Sequence, residues 1–450
     1  MIEQVYINGY KSLVDFRMSI RPGINVLVGE NGVGKSNILS FFQLLGNLVP
    51  YEVGDAINMS GGVGRVFQKK SDKDYVDRLN FTISGTCLNG EDEYAYEYSV
   101  NIDVSPDRSH VYFARQSLRL RREHSSSLIG QAPAAWDLSL NASSGPNQDR
   151  ATVEIKSYNS DFFSGSFGSE RSGASDKGKD FLNSLVSAYG RSQSLVDTLF
   201  PFLQLSQISI RDDLMGGRVF DIIPAHVREY EDASSPPGIR ADGSGLASTL
   251  YAIQVAPRTP RYRTFGSTVY DESMMDRILM HVQLANPTVK GISVEIDHFD
   301  NRLIPKVSIE SDSNDDILLP LSAMSDGTLK WLAIVTAIVS SESIFAVEEV
   351  ENHLHPAMQH AIVELVRSEQ EASLDTSKGP RGAMLFSTHS ESLLDAILPS
   401  EVVVVRMVKG RTCAARVSNL EELKSAISKT GFGLGKYYST NSLESVNSAC

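Results

Sequence analysis

Eight consecutive residues, Gly29-Glu30-Asn31-Gly32-Val33-Gly34-Lys35-Ser36, carry the strongest chemical signal in the chain. They fit GxxxxGK[ST], a spacing that average residue usage would produce by chance in roughly one chain of this length in 50. Glycine tolerates positive φ and lets a backbone approach phosphate oxygens closely. Successive N–H groups then converge on an anion at a helix N-terminus. Lys35 supplies a point charge to β/γ-phosphates, and the Ser36 hydroxyl supplies a ligand for Mg²⁺. Asn31, Gly32, Val33, Gly34 and Asn37 complete the phosphate-cradling segment. The chemistry expected is the binding of a nucleoside triphosphate with magnesium.

Such a site needs a carboxylate at the end of another buried strand. In Ser343-Ile344-Phe345-Ala346-Val347-Glu348-Glu349 an apolar run delivers two adjacent acids to a strand C-terminus, where open α/β sheets bind ligands. Glu348 suits Mg²⁺, held through water, and Glu349 suits polarising an attacking water. Two unpaired buried acids would be costly in a purely structural role. A further apolar strand, Met384-Leu385-Phe386-Ser387-Thr388-His389, ends in a polar tip with a histidine. Finally, Leu321-Ser322-Ala323-Met324-Ser325-Asp326-Gly327-Thr328 precedes an apolar helix. Ser325 or Asp326 can cap that helix, Gly327 permits close backbone approach, and the exposed N–H groups form a second anion site. On these residues alone, an ordinary helix cap explains the turn better.

The elements that must position these groups follow from periodicity. Residues 2–8 and 24–28 read as strands, the second running through the glycine loop into a helix over 35–48. Residues 80–104 predict a hairpin with Asn89-Gly90 at its turn, and Tyr94, Tyr96, Tyr98, Val100 and Ile102 share one face. A strand is expected over 111–122. The Ser/Gly/Asn/Asp-rich stretch 123–180 reads as loops and insertions. Helices are expected at 181–205, 244–256 and 271–285, and strands at 291–297 and 303–310. From 320 to 408 helix and strand alternate, the α/β signature with strands buried on both faces.

Composition bounds the rest. The chain has 450 residues, 41% apolar, enough for a large core. Its longest apolar run, Trp331 to Val339, is too short to span a bilayer,. Met1-Ile2-Glu3-Gln4 leads straight into strand-like sequence, so no signal peptide is expected. Cys87, Cys413 and Cys450 are too dispersed for a disulfide framework or a CxxC metal pair,. A soluble, cytoplasmic protein with no membrane partner is expected. The net charge of −13 argues against a basic nucleic-acid coat but leaves room for a local patch,. Arg115, Arg119 and Arg121 would share one face of a strand, suited to phosphates, or would form an ordinary solvated face.

Together these motifs resemble the ABC-type ATPase head of the RecF, SMC and OLD group, and within it the stand-alone bacterial AAA family ATPases of anti-phage systems such as Septu and PARIS. The resemblance covers 1–48 and 320–408, and more loosely 205–256. It implies an α/β P-loop NTPase fold: an ABC-type head with a mixed sheet, an antiparallel β-subdomain and an inserted helical and loop subdomain. The corresponding divisions are an N-terminal lobe at 1–122, an insertion at 123–290 and a C-terminal lobe at 291–450. By resemblance, the glycine loop is Walker A and Ser325-Asp326-Gly327-Thr328 is the signature. Glu348 is the Walker B metal acid, Glu349 the catalytic glutamate and His389 the switch histidine. Leu354-His355-Pro356, after Glu351-Asn352, looks like the family's continuation beyond the catalytic glutamate, which would carry the D-loop near Asn352 to His355. Lys11, in Asn8-Gly9-Tyr10-Lys11-Ser12-Leu13, lies near the nucleotide. Gln68 is the candidate Q-loop metal ligand. The sequence departs from the family pattern at Glu348, where an aspartate is usual, at Val350, where proline is usual, and in its Ser-Asp-Gly-Thr signature. Slow turnover is expected.

The resemblance further implies an ATPase using ATP and Mg²⁺, acting as a homodimer or higher homo-oligomer in which the signature of one protomer closes on the ATP of the other. No long heptad run or zinc hook separates Ser36 from Ser325, and the residues after His389 are too few for a Toprim nuclease. The function implied is a sensor or scaffold for a separately encoded effector, a nuclease or toxin, in anti-phage defence. The alternative is a RecF-like repair ATPase that clamps duplex DNA in its ATP state.

Overall fold

The computed structural model describes residues 1–71, 74–89, 92–123, 138–148, 150–157, 191–199, 210–216, 218–256, 270–271, 273–311, 316–340, 345–374, 382–417 and 420–439. Among these, the central sheet has the order β11 (Arg218–Phe220), β16 (Phe345–Val347), β17 (Ala383–Ser387), β3 (Gly23–Val28), β18 (Val402–Val408), β19 (Arg411–Arg416). All neighbours are parallel except β18 and β19. Successive side chains on a strand point to opposite faces, so each strand here serves two cores. Leu27, Ala346, Leu385, Val403 and Val405 join one cluster, while Val26, Val347, Phe386, Val402 and Val404 join the other. Every residue of β3 and of β17 is buried, Asn25 and Ser387 included, as expected of strands covered on both faces,.

A second, antiparallel sheet runs β10 (Thr152–Ser157), β9 (Leu138–Ser143), β8 (Val111–Glu123), β7 (Asp92–Val104), β6 (Arg78–Asn89), β1 (Ile2–Asn8), β2 (Phe16–Ser19). The tyrosine face of β7 is buried as predicted. Helix α1 (Lys35–Leu48) joins both sheets in one core through Ile38, Leu39, Phe41, Phe42, Leu44, Leu45 and Leu48. Each such side chain contributes about 1.5–3 kcal/mol relative to exposure, so the start of α1 is firmly placed. The short strands β4 (Lys69–Ser71) and β5 (Asp74–Tyr75) pair with each other beside this lobe.

On the other side of the central sheet lies a third sheet. Its hairpin is β13 (Val289–Asp297) and β14 (Arg302–Ile309), with β12 (Glu231–Asp232) and β15 (Ile317–Pro320) both paired to β14. It shares a core with α2 (Leu246–Gln254), α3 (Ser273–Ala285), α4 (Asp326–Ser340) and α5 (Pro356–Leu374). Toward the C-terminus follow the short helix α6 (Glu391–Ala396), a helix over Leu420–Thr430 and the short helix α7 (Leu434–Ser439). No helix among the described residues is long and apolar enough to cross a membrane.

The stretch read as loops over 123–180 departs from expectation where it is described. Leu138, Leu140 and Ala142 are buried on one face of β9, and β10 pairs along β9, so the sheet continues through this segment. The helix expected at 181–205 is present at Leu195–Leu199. Residues 124–137, 158–190 and 200–209 lie outside the described residues.

Candidate functional site

The cleft at the C-terminal ends of β3, β16 and β17 has a volume of about 170 Å³ and is lined by Asn31, Gly32, Gly34, Lys35, Ser36, Asn37, Glu348, Glu349, Ser387 and His389. Segments more than three hundred positions apart therefore meet, because β3, β16 and β17 are adjacent strands ending on one edge.

The glycine loop is held from behind. Gly34 has φ 103° at the N-terminus of α1, and a Cβ there would lie 2.1 Å from Thr412 Oγ1; only glycine fits. Thr412 of β19 donates to the Val33 carbonyl at 2.9 Å and pairs with Ser12 Oγ at 2.6 Å. Ser12 Oγ in turn accepts from Asn37 Nδ2 at 2.7 Å. Tyr438 of α7 grips the first glycine: its hydroxyl donates to Gly29 O at 2.9 Å and accepts from Gly29 N–H at 3.2 Å. Lys35 folds back on its own loop, donating to Gly29 O at 2.7 Å and Glu30 O at 3.0 Å. Burial lowers its pKa, opposed by Glu349, Glu351 and Glu348.

The acidic strand end is equally fixed. Glu348 N–H donates to Phe220 O at 3.0 Å, across to β11. Glu349 has φ 45°, a left-handed conformation costing about 1–3 kcal/mol for a non-glycine residue,. Its N–H donates to Ser387 Oγ at 3.1 Å, its carbonyl accepts from Lys330 Nζ at 3.3 Å, and its carboxylate accepts from Asn352 Nδ2 at 2.7 Å. Glu351 accepts from the Thr388 hydroxyl at 2.8 Å and from His389 N–H at 2.6 Å. It thereby joins the turn after β16 to the histidine tip. The His389 imidazole is held below its usual pKa by burial first and Lys35 second, with Glu351 and Glu349 opposing.

Ser36 and Glu348 offer a hydroxyl and a carboxylate to the same cleft. These hard oxygen donors suit Mg²⁺, which keeps several waters and phosphate oxygens in its shell. The described residues contain no group of three or more metal-ligating His, Cys, Asp or Glu side chains, so no all-protein cage competes with that arrangement.

Other expected site residues, Val33 among them, do not line the cleft. Lys11 donates to Ser40 Oγ at 2.8 Å and sits 5.2 Å from the Tyr10 ring centre. Burial lowers its pKa while the Glu348 charge opposes. Gln68 lies on the neighbouring loop, its N–H bonded to Gly9 O at 2.8 Å. Ser325 caps α4, accepting from Thr328 N–H at 3.3 Å. A Cβ on Gly327 would lie 2.8 Å from the His353 carbonyl oxygen, so the signature turn packs directly on the segment after Glu349. Arg228 braces that turn through the Met324 carbonyl at 2.9 Å and Asp326 at 2.6 Å. The sequence reading gave no role to Arg228, Lys330, Thr412 or Tyr438. Glu351 was visible only as part of the D-loop resemblance, and a third acid so near two candidates was its signal.

Two family models match the chain. One, described as AAA ATPase domain, spans residues 1–166. The other, described as AAA domain, putative AbiEii toxin, Type IV TA system, spans 222–395. Structural maintenance of chromosomes protein 3 from Dictyostelium discoideum is 28% identical over 109 residues, covering 21% of this chain and 8% of that protein. The chain thus spans under a tenth of the length of that relative. Among solved structures, an SMC head bound to the C-terminal winged-helix domain of ScpA is 13% identical, covering 94% of this chain and 99% of that one, with a TM-score of 0.47. The SMC head domain from Thermotoga maritima is 12% identical over 93% of this chain and 99% of that one, with a TM-score of 0.39.

Proposed function

We propose that this chain, an ABC-type, SMC-like AAA ATPase, is an ATP-gated scaffold. Two copies close around ATP and so control a separately encoded effector, a nuclease or toxin, in anti-phage defence. One observation carries the gating: the cleft gathers Lys35, Ser36, Glu348, Glu349 and His389, while the signature turn lies outside it but packs on the Glu349 segment through Gly327 and His353. A helix N-terminus that a second copy brings to the triphosphate would complete the site and report γ-phosphate occupancy.

The roles follow from the contacts. Lys35 exchanges two backbone carbonyls for phosphate oxygens. Glu349, once released by Asn352, takes the proton of the attacking water. His389 hydrogen-bonds the γ-phosphate side. Ser36 and Glu348 would hold magnesium, which when bound neutralises charge on the β- and γ-phosphate oxygens.

Glu349→Gln should slow hydrolysis by about 100-fold or more and accumulate ATP-bound dimers, seen by light scattering with and without nucleotide. A variant that hydrolyses ATP at the wild-type rate would remove Glu349 as the base. The same trapped state separates the partners. Capture of a neighbouring gene product without DNA supports the scaffold. ATP-dependent, salt-sensitive duplex binding supports the RecF-like clamp, for which exposed Arg115 is the available phosphate contact, since Arg119 is engaged with Glu97 at 3.3 Å,.

A further inference from the structure

Helix α4 is buried along nearly its whole length, and one of its buried residues is a lysine. Lys330 is 1% exposed, next to Trp331 and Leu329 at 0%. A buried ammonium is costly unless it is paired, and methionine would fill a similar volume without that cost. The groups facing Lys330 explain why a cation stands there. Its Nζ donates to the Glu349 carbonyl at 3.3 Å, and Asp221, Glu351 and Glu349 surround it with negative charge. Burial still lowers its pKa against all three.

The contact has a particular geometry. Glu349 is held in its left-handed conformation at three points: the N–H by Ser387, the carboxylate by Asn352 and the carbonyl by Lys330. Ser387 belongs to the neighbouring strand and Asn352 to the same turn. Lys330 alone of the three belongs to the helix that begins at the signature turn, a single helical turn beyond Asp326. A displacement of α4 therefore reaches the Glu349 peptide through this side chain.

We propose that Lys330 is a positioning residue that ties the signature helix to the peptide of Glu349, so that seating the signature on a γ-phosphate aims the base. This rests on Glu349 being the base, and the test separates the two. In steady-state assays, Lys330→Met should lower kcat by about ten-fold or more with KM for ATP within about two-fold, since a misaimed group costs rate while ground-state binding is kept. Lys330→Arg, which keeps the cation and the donor, should recover most of the rate. Should Lys330→Met fail to fold, Lys330→Gln, whose amide falls short of the carbonyl, carries the same expectation. A neutral variant at wild-type kcat while Glu349→Gln is inactive overturns the tie alone. Equal loss in the arginine variant, or a KM that rises as kcat falls, also overturns it. Glu349→Gln at the wild-type rate overturns both the base and the tie.

Discussion

At the scale of single residues, the site is as much a matter of carboxylates as of the glycine loop. Glu351 is not itself a lining residue of the cleft, yet it receives both the Thr388 hydroxyl and the amide of His389, which is one. Glu351→Gln keeps the volume but cannot accept two such bonds as well as a carboxylate, and charge-assisted bonds are about twice as strong as neutral ones. The expected result is a kcat about ten-fold lower with ATP binding retained, read by a nucleotide titration beside the assay. The pH profile should move as well. The His389 pKa is depressed, so activity that needs neutral imidazole should be lost only as pH falls through the lowered value,. Glu351 raises that pKa, so its neutralisation should carry the acid limb to lower pH. An unchanged limb would detach His389 from the rate.

At the scale of elements, two turns are pressed together. The signature turn and the segment after Glu349 meet at Gly327, where an added methyl would lie 2.8 Å from the His353 carbonyl. Gly327→Ala must push one turn off the other. Hydrolysis should fall while nucleotide binding to the isolated protomer, away from this contact, stays within about two-fold of wild type by equilibrium titration. Much of this was legible in sequence. The glycine loop with its flanking strand and helix is local, and the alternation from 320 to 408 places Glu348 and His389 at strand ends without knowledge of the pairing. What was not legible depends on distant partners. Leu138, Leu140 and Ala142 alternate, but three apolar residues among Ser and Asn are too few to announce a strand until β8 is beside them. β11 is three residues long and is recognisable only by its pairing with β16. Lys330 has no role in the sequence reading; its burial goes with α3 and α5 packing on α4.

At the scale of the whole molecule, the central sheet divides two cores, and its edge collects the loops that need both. The far end of the described chain takes part: Tyr438 on α7 bonds both polar groups of the Gly29 peptide. α7 is itself docked on the helix after His389, where Gly435 N–H donates to Asp395 at 2.8 Å. Tyr438→Phe should leave kcat near wild type and raise KM for ATP a few-fold, about 1 kcal/mol for lost neutral hydrogen bonds; a steady-state titration reads it. The bonded groups are 409 positions apart along the chain. The first glycine of the loop and the last described helix are thus two ends of one closed circuit. Any force applied at the tail, whether by a docked protein, a fused tag or a crosslink, is delivered to the very peptide on which Lys35 rests while it waits for phosphate.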